Sequence, residues 1–142
     1  MRFSVAAVAT TLLALTEARI VGIKVPKTIK PGDEFEAVII SENYIQSVYD
    51  VAIAFGYVNG KGYPGTLGPV ADSFYIGPDE SNQLHSFNKT LTIPKEAQKG
   101  QGLVTASLFS IYGASGSPTL SNYNVTVTFG DKTSTEYKSS QA

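Results

Sequence analysis

The sequence predicts an all-β protein, an immunoglobulin-like or fibronectin-like β-sandwich of about seven strands, built without disulfides. Three observations point there. Apolar residues recur with a period of two in one segment after another, and no stretch sustains a helical stripe. The segments are short and are separated by clusters of Gly, Pro, Asn and Asp, the residues that turn a chain. Cysteine and tryptophan are both absent, so the bridge and buried indole of an antibody domain are missing and the likeness is one of architecture. A jelly roll or small barrel satisfies the same strand count.

A leader precedes the strands. Met1 and Arg2 open onto FSVAAVATTLLAL, and Thr16 and Ala18 then stand where a signal peptidase expects small residues before Arg19. The apolar run is shorter than the ~20 residues that span a bilayer, and no second run of that length follows. The expected organisation is a secretory signal over residues 1–18, one domain over 19–130, and a polar tail over 131–142, DKTSTEYKSSQA. The product is expected to be secreted, with no stable membrane insertion.

The strands follow in order. RIVGIKV puts Val21, Ile23 and Val25 on one face, and KTIKPGD turns the chain. EFEAVIIS reads as a central strand, with Phe35, Ala37 and Ile39 on one side and Val38 and Ile40 on the other. VYDVAIAFGY alternates most clearly: Tyr49, Val51, Ile53, Phe55 and Tyr57 face inward, and Asp50, Ala52, Ala54 and Gly56 form a face of small residues that leaves room for a loop or a neighbouring backbone. The long Gly- and Pro-rich loop NGKGYPGTLGP comes next, then DSFYIG and a turn at PDE. HSFNKTLTI turns Phe87, Leu91 and Ile93 inward. PKEAQKG is a connection or a single helical turn, GLVTASLFSIY is apolar on both faces, and YNVTVTF closes the domain with Tyr123, Val125, Val127 and Phe129 inward. By phase, Tyr49 and Tyr123 are core residues with hydroxyls at the rim. The sequons NKT at Asn88 and NVT at Asn124 both place Asn outward, as glycosylation requires.

The residue inventory argues against most chemistries. A formal net charge of −1, with Lys24, Lys27 and Lys30 as the one basic concentration, gives little to bind phosphates, so nucleic acid is not an expected partner. NGKGYPG lacks the spacing of a P-loop, and Pro64 removes an N–H that could face an anion. His85 is the sole histidine, too few for a zinc or copper site. GASGSP is a turn without the helix that follows a nucleophile elbow. Asp72, Asp79 and Glu80 are the nearest thing to a carboxylate pair, and two of them lie in a turn. No enzyme, metal or cofactor is expected. Eight tyrosines on a secreted sandwich suit a binding module instead, for protein or for glycan alike.

Behind the signal peptide, the run RIVGIKVPKTIKPGDEFEAVI, YDVAIAFGYVNG, YPGTLG, FNKTLTIP and YNVTVTFG resembles the necrosis-inducing secreted effector family of plant-associated ascomycete fungi. The likeness covers residues 19–130, and the family has no compact catalytic signature. It implies a virulence protein that suppresses pattern-triggered immunity by binding plant receptor-like kinases, including an immune co-receptor kinase and a cytoplasmic receptor-like kinase, with cell death provoked by some members. It also implies action in the host cytoplasm or at the host plasma-membrane periphery. The Cys-free composition suits a reducing destination. The alternative is a cell-wall glycan-binding protein that shields fungal polysaccharide; a structural wall protein is a third reading.

Exposure, rather than any transferred motif, nominates the contact residues. Tyr57, Lys61, Tyr63, Leu67 and Tyr75 lie around the long loop, and Tyr112 and Leu120 join them if GASGSPTL sits at the same end. A monomer is the expected state, with an exposed edge strand as the route by which a second chain could pair.

Overall fold

The computed structural model describes residues 17–140. The leader expected over residues 1–18 therefore lies outside the described residues as far as Thr16. Nine strands and one helical turn follow in order: β1 (Ala18–Pro26), β2 (Thr28–Ile29), β3 (Glu34–Asn43), β4 (Val48–Asn59), β5 (Val70–Tyr75), α1 (Gly77–Glu80), β6 (Phe87–Thr92), β7 (Gly100–Tyr112), β8 (Ser117–Phe129) and β9 (Tyr137–Ser139). They form a four-stranded sheet, β6-β3-β1-β9, and a five-stranded sheet, β2-β8-β7-β4-β5. The all-β, two-sheet expectation holds, and two strands of two and three residues raise the count beyond about seven.

The sheets meet through their apolar faces. β1 and β3 contribute Ile20, Ile23, Val25, Phe35, Ala37 and Ile39, and β6 adds Leu91. Against them the five-stranded sheet sets Ile53, Phe55, Val104, Leu108, Val125 and Phe129. Phe129 is fully buried and meets Tyr57 edge to face at 6.5 Å. Burying each large side chain among these stabilises the fold by roughly 1.5–3 kcal/mol, which is what must hold a chain without disulfides. β3 is interior to its sheet, as its two apolar faces predict.

Two bulges overturn part of the expected phase. The β1–β3 register shifts between Ile20 and Gly22, so Ile20 points inward and Val21 is the extra residue. The β4–β7 register shifts between Asp50 and Ala52. Before that bulge Val48 and Asp50 face the core, and after it Ile53, Phe55 and Tyr57 do. Tyr49 is consequently an outer-face residue, its hydroxyl 3.0 Å from that of Tyr75. A strict period of two has no way to register an inserted residue. Tyr123 does lie on the inner side, packed against the core, and its hydroxyl donates to the Ile20 carbonyl at 3.3 Å.

The polar tail is also corrected. Tyr137–Ser139 form β9, antiparallel to β1 at Lys24, Val25 and Pro26. The residues on either side of it are tied down by backbone and side-chain hydrogen bonds. Ser134 N–H donates to the Thr28 carbonyl at 2.9 Å, Lys27 N–H to the Glu136 carbonyl at 2.9 Å, and Ser140 N–H to the Ile23 carbonyl at 2.9 Å. Thr133 Oγ1 accepts from Lys30 N–H at 3.0 Å and donates to Asp33 at 3.0 Å. The Tyr137 hydroxyl reaches the Glu36 carbonyl at 2.8 Å. Low apolar content reads as a frayed end, but here the segment docks by hydrogen bonds.

Removing residues 131–142 is expected to lower stability by about 2–4 kcal/mol, the sum of several net hydrogen bonds. The check is the urea midpoint at constant m-value; a midpoint that stays in place would show that the C-terminal segment does no structural work.

Candidate interaction surface

The outer face of the five-stranded sheet is assembled from β8, β7, β4 and β5, and its floor is made of small residues. Ala52 pairs with Phe109 on one side and Tyr75 on the other, and Phe109 pairs with Leu120. Leu120, Phe109, Ala52 and Tyr75 thus form one row across four strands, about 14 Å long at the usual strand spacing. Leu120 is 74% exposed and Tyr75 67% exposed. The Tyr49 hydroxyl shares its hydrogen bond with Tyr75, an interaction that raises the Tyr49 phenol above its ordinary pKa.

This face carries no charge over β7 and β8, whose sequences contain no Asp, Glu, Lys or Arg. The one charged residue of β4, Asp50, is buried. The opposite sheet differs: Arg19, Lys24, Glu34, Glu36, Glu42, Lys89 and Lys138 all lie on its strands.

One end of the uncharged face is covered. The loop over residues 59–69 folds back onto the small side of β4, as the run of small residues predicts. Tyr57 N–H donates to the Pro69 carbonyl at 3.1 Å, and the Thr105 hydroxyl donates to the Leu67 carbonyl at 2.6 Å. The fit requires glycine: a Cβ on Gly56 would lie 2.3 Å from the Leu67 oxygen, and one on Gly68 2.0 Å from the Tyr57 oxygen. Gly68 also has φ +67, a conformation that other residues adopt at a cost.

The structure divides the nominated contact residues. Lys61 and Tyr63 are exposed on the loop, Tyr63 by 74%, and Leu67 is half-buried with its carbonyl engaged. Tyr57 is 9% exposed; its packing on Phe129 removes it from any surface, which corrects its nomination. Tyr112 pairs with Val48, whereas the loop begins at Asn59, opposite Gly102. The GASGSPTL turn is therefore at the far end of β7, roughly 34 Å from Gly102 at the usual strand rise. The condition under which Tyr112 and Leu120 would join the other five is not met; Tyr75 and Leu120 share a row, and Tyr112 stands apart. Phe109 was missed because GLVTASLFSIY is apolar on both faces and does not reveal which side is covered. Asn88 and Asn124 are both exposed, Asn124 on the same strand face as Leu120.

Tyr112 belongs to a polar cluster at that far end. It meets Tyr44 edge to face at 5.8 Å, and the Arg19 guanidinium lies 4.4 Å from the centre of the Tyr44 ring. Asp50 is buried beside it, accepting a hydrogen bond from Ser110 at 2.7 Å, and its second oxygen has no partner among the described residues. Burial pushes the Asp50 carboxyl above its ordinary value of 3.8, the Ser110 bond opposing. Burial likewise raises the phenols of Tyr112 and Tyr123.

Comparison with known proteins completes the picture. The sequence model of the Nis1 family matches residues 16–128. A protein of Colletotrichum higginsianum called necrosis-inducing secreted protein 1 is 57% identical over 141 residues, covering 99% of this chain and 97% of its own length. Its namesake in Colletotrichum orbiculare is 51% identical over 136 residues, covering 95% and 84%. Among solved structures, a chitin-binding domain from Burkholderia pseudomallei superposes with a TM-score of 0.49 at 8% identity, over 74% of this chain and 57% of that one. So loose a likeness transfers no ligand.

Gly56→Ala is expected to displace the loop and cost about 1–3 kcal/mol. Gly60→Ala, with open space around its Cβ but φ +77, should cost about 1 kcal/mol. Thermal melts of the pair separate crowding from backbone strain, and equal losses would refute the close fit at Gly56. Asp50 has a second, pH-dependent signature. A carboxyl whose folded pKa is raised binds more protons folded than unfolded, so stability falls as pH rises from 3.8 through the raised value. Asp50→Asn removes that loss, and its melting temperature relative to the parent should be higher at neutral pH and decline on acidification. A difference independent of pH would refute the assignment.

Proposed function

The chain belongs to the Nis1 family, and from that premise we propose that it binds plant receptor-like kinases and suppresses pattern-triggered immunity. At the coarser level its homology makes it a secreted fungal necrosis-inducing effector. The finer reading names an immune co-receptor kinase and a cytoplasmic receptor-like kinase as targets, reached from the host cytoplasm or the plasma-membrane periphery, with cell death as a consequence. The protein acts by occupying a surface rather than by chemistry.

The observation that carries the surface assignment is the Leu120, Phe109, Tyr75 row. Large exposed apolar side chains in register beside two strands without charge supply the desolvated centre that protein interfaces use. Lys61 and Tyr63 on the adjoining loop supply its polar rim. The scaffold is proposed to be immunoglobulin-like. Support comes from the first strand, which serves one sheet as β1 and, after Lys27, runs parallel to β8 in the other as β2. Glycans at Asn88 and Asn124 would be tolerated by both exposed positions, although one at Asn124 would stand beside the row.

A second reading has its own observation. Tyr49, Phe109 and Tyr75 flank Ser107 and Asn122 on the same face, an aromatic and hydrogen-bonding platform that suits a polysaccharide, so the alternative is a glycan-binding protein that shields fungal wall.

The test is titration of the secreted protein against the isolated kinase domain of a plant immune co-receptor, with an unrelated kinase as control. Selective, saturable binding with Kd of about 1 μM or tighter, some 8 kcal/mol, is expected. Phe109→Lys with Tyr75→Ala should weaken it at least tenfold at an unchanged melting temperature. Folded protein that ignores the kinase but sediments with insoluble chitin or glucan would overturn the kinase reading in favour of the second one.

A further inference from the structure

The two sheets end in four edges, and three of them are short and charged. β6 has six residues with Lys89, β9 three with Lys138, and β5 six with Asp72. These are the ordinary means by which proteins discourage strand addition.

The fourth edge lacks them. β8 has thirteen residues and pairs with β7 along its full length without a register shift. On its other side β2 reaches only Thr128 and Phe129. Residues 117–127 therefore present an open ladder, with no strand hydrogen-bonded on that side among the described residues. The segment SPTLSNYNVTV has no charged side chain and no bulge, and its one deterrent, Pro118, stands near the start. Hydrogen-bonding residues from Ser121 to Asn124 are followed by the β-branched run Val125–Val127, and Leu120 protrudes just before them.

We propose that this edge joins a second copy of the same chain. Two β8 strands run antiparallel across a two-fold axis, uniting two five-stranded sheets into one continuous sheet. The absence of charge selects this occupant. Pairing a strand with itself in reverse brings a charge near its own copy whenever it sits close to the axis, and β8 avoids that repulsion at every register. A foreign strand chosen by charge would find nothing to read over residues 117–125, since the nearby Lys27 and Lys138 flank only Thr126–Thr128. Side chains on strands project above and below the sheet rather than along its plane, so Asn124 and Leu120 leave the edge itself accessible. The dimer also places two Leu120, Phe109, Tyr75 rows on one face.

The experiment exploits the lack of cysteine. Enzymatically deglycosylated secreted protein is first examined by sedimentation equilibrium, where a reversible dimer is expected. Single substitutions Leu120→Cys, Asn122→Cys and Asn124→Cys, with Glu34→Cys on the opposite sheet as control, are then oxidised. Residues facing each other at a non-hydrogen-bonded antiparallel position have Cα atoms about 4.5 Å apart, within disulfide range. Cross-linking should peak at one β8 position, fall off on either side, and be absent from the control. Leu120→Lys with Asn122→Lys should weaken the dimer at least tenfold, while circular dichroism stays as in the parent, as does the melting temperature at concentrations where both are monomeric. A protein that remains monomeric to about 1 mM, where even weak association at ~4 kcal/mol registers, overturns the proposal. So does a dimer whose cross-linking shows no preference for β8 or whose affinity ignores the lysines.

Discussion

The structure depends on the passage of the first strand from one sheet to the other. β1 ends at Pro26, which has no N–H to continue a ladder, and two residues later the chain pairs with β8 as β2. Lys27 sits at the crossing with its N–H donated to Glu136 and its carbonyl accepting from Thr128. One short segment thereby belongs to both sheets and to the C-terminal segment at once. In a chain with no disulfide, this backbone linkage keeps the two apolar faces aligned, and the burial of Phe129, Ile23 and Leu91 supplies the energy.

Much of the fold was legible because burial on one side of a sheet imposes a period of two. Phe35, Ala37 and Ile39, or Val125, Val127 and Phe129, have the sidedness their spacing predicts. Where the alternation failed, the cause was an inserted residue: Val21 and Val51 occupy bulges, and each reverses the strand on one side of itself. β9 was illegible for a different reason. Its three residues are too few to show a period, and its anchors are Ser, Thr and Tyr side chains bonded to backbone more than a hundred positions earlier. The surface was only partly legible. Exposure at Tyr63, Tyr75 and Leu120 followed from phase or loop position, but the distance between Tyr63 and Tyr112 depends on which strand ends the turns join.

The two outer faces are chemically opposite. The four-stranded sheet carries mixed charges that keep it hydrated, whereas the five-stranded sheet offers Tyr, Phe, Leu, Asn and Thr with no ion among β7 and β8. The long loop divides the second face further, sealing one end with the carbonyls of Leu67 and Pro69 and leaving the aromatic row open. The shape of this loop answers to the small side chains beneath it: Gly56 permits the approach, and Gly68 bends the chain to make it. The recognition proposed for this face would be governed by shape and desolvation, with little long-range steering.

The pairing of β1 with β9 also sets how the molecule responds to tension. Lys24 lies opposite Ser139 and Pro26 opposite Tyr137, so the chain leaves both strands from the same end of their ladder. A pull applied through Ala18 and Ser140 meets these bonds in sequence and peels them one at a time, instead of loading them together in shear. On the Ser140 side β9 would be stripped from β1 first, while β1 itself stays held by its pairing with β3 and by Ile20 and Ile23 in the core. A fold held together by its packing would still release β9 at a low force to any machine that draws on its C-terminal segment.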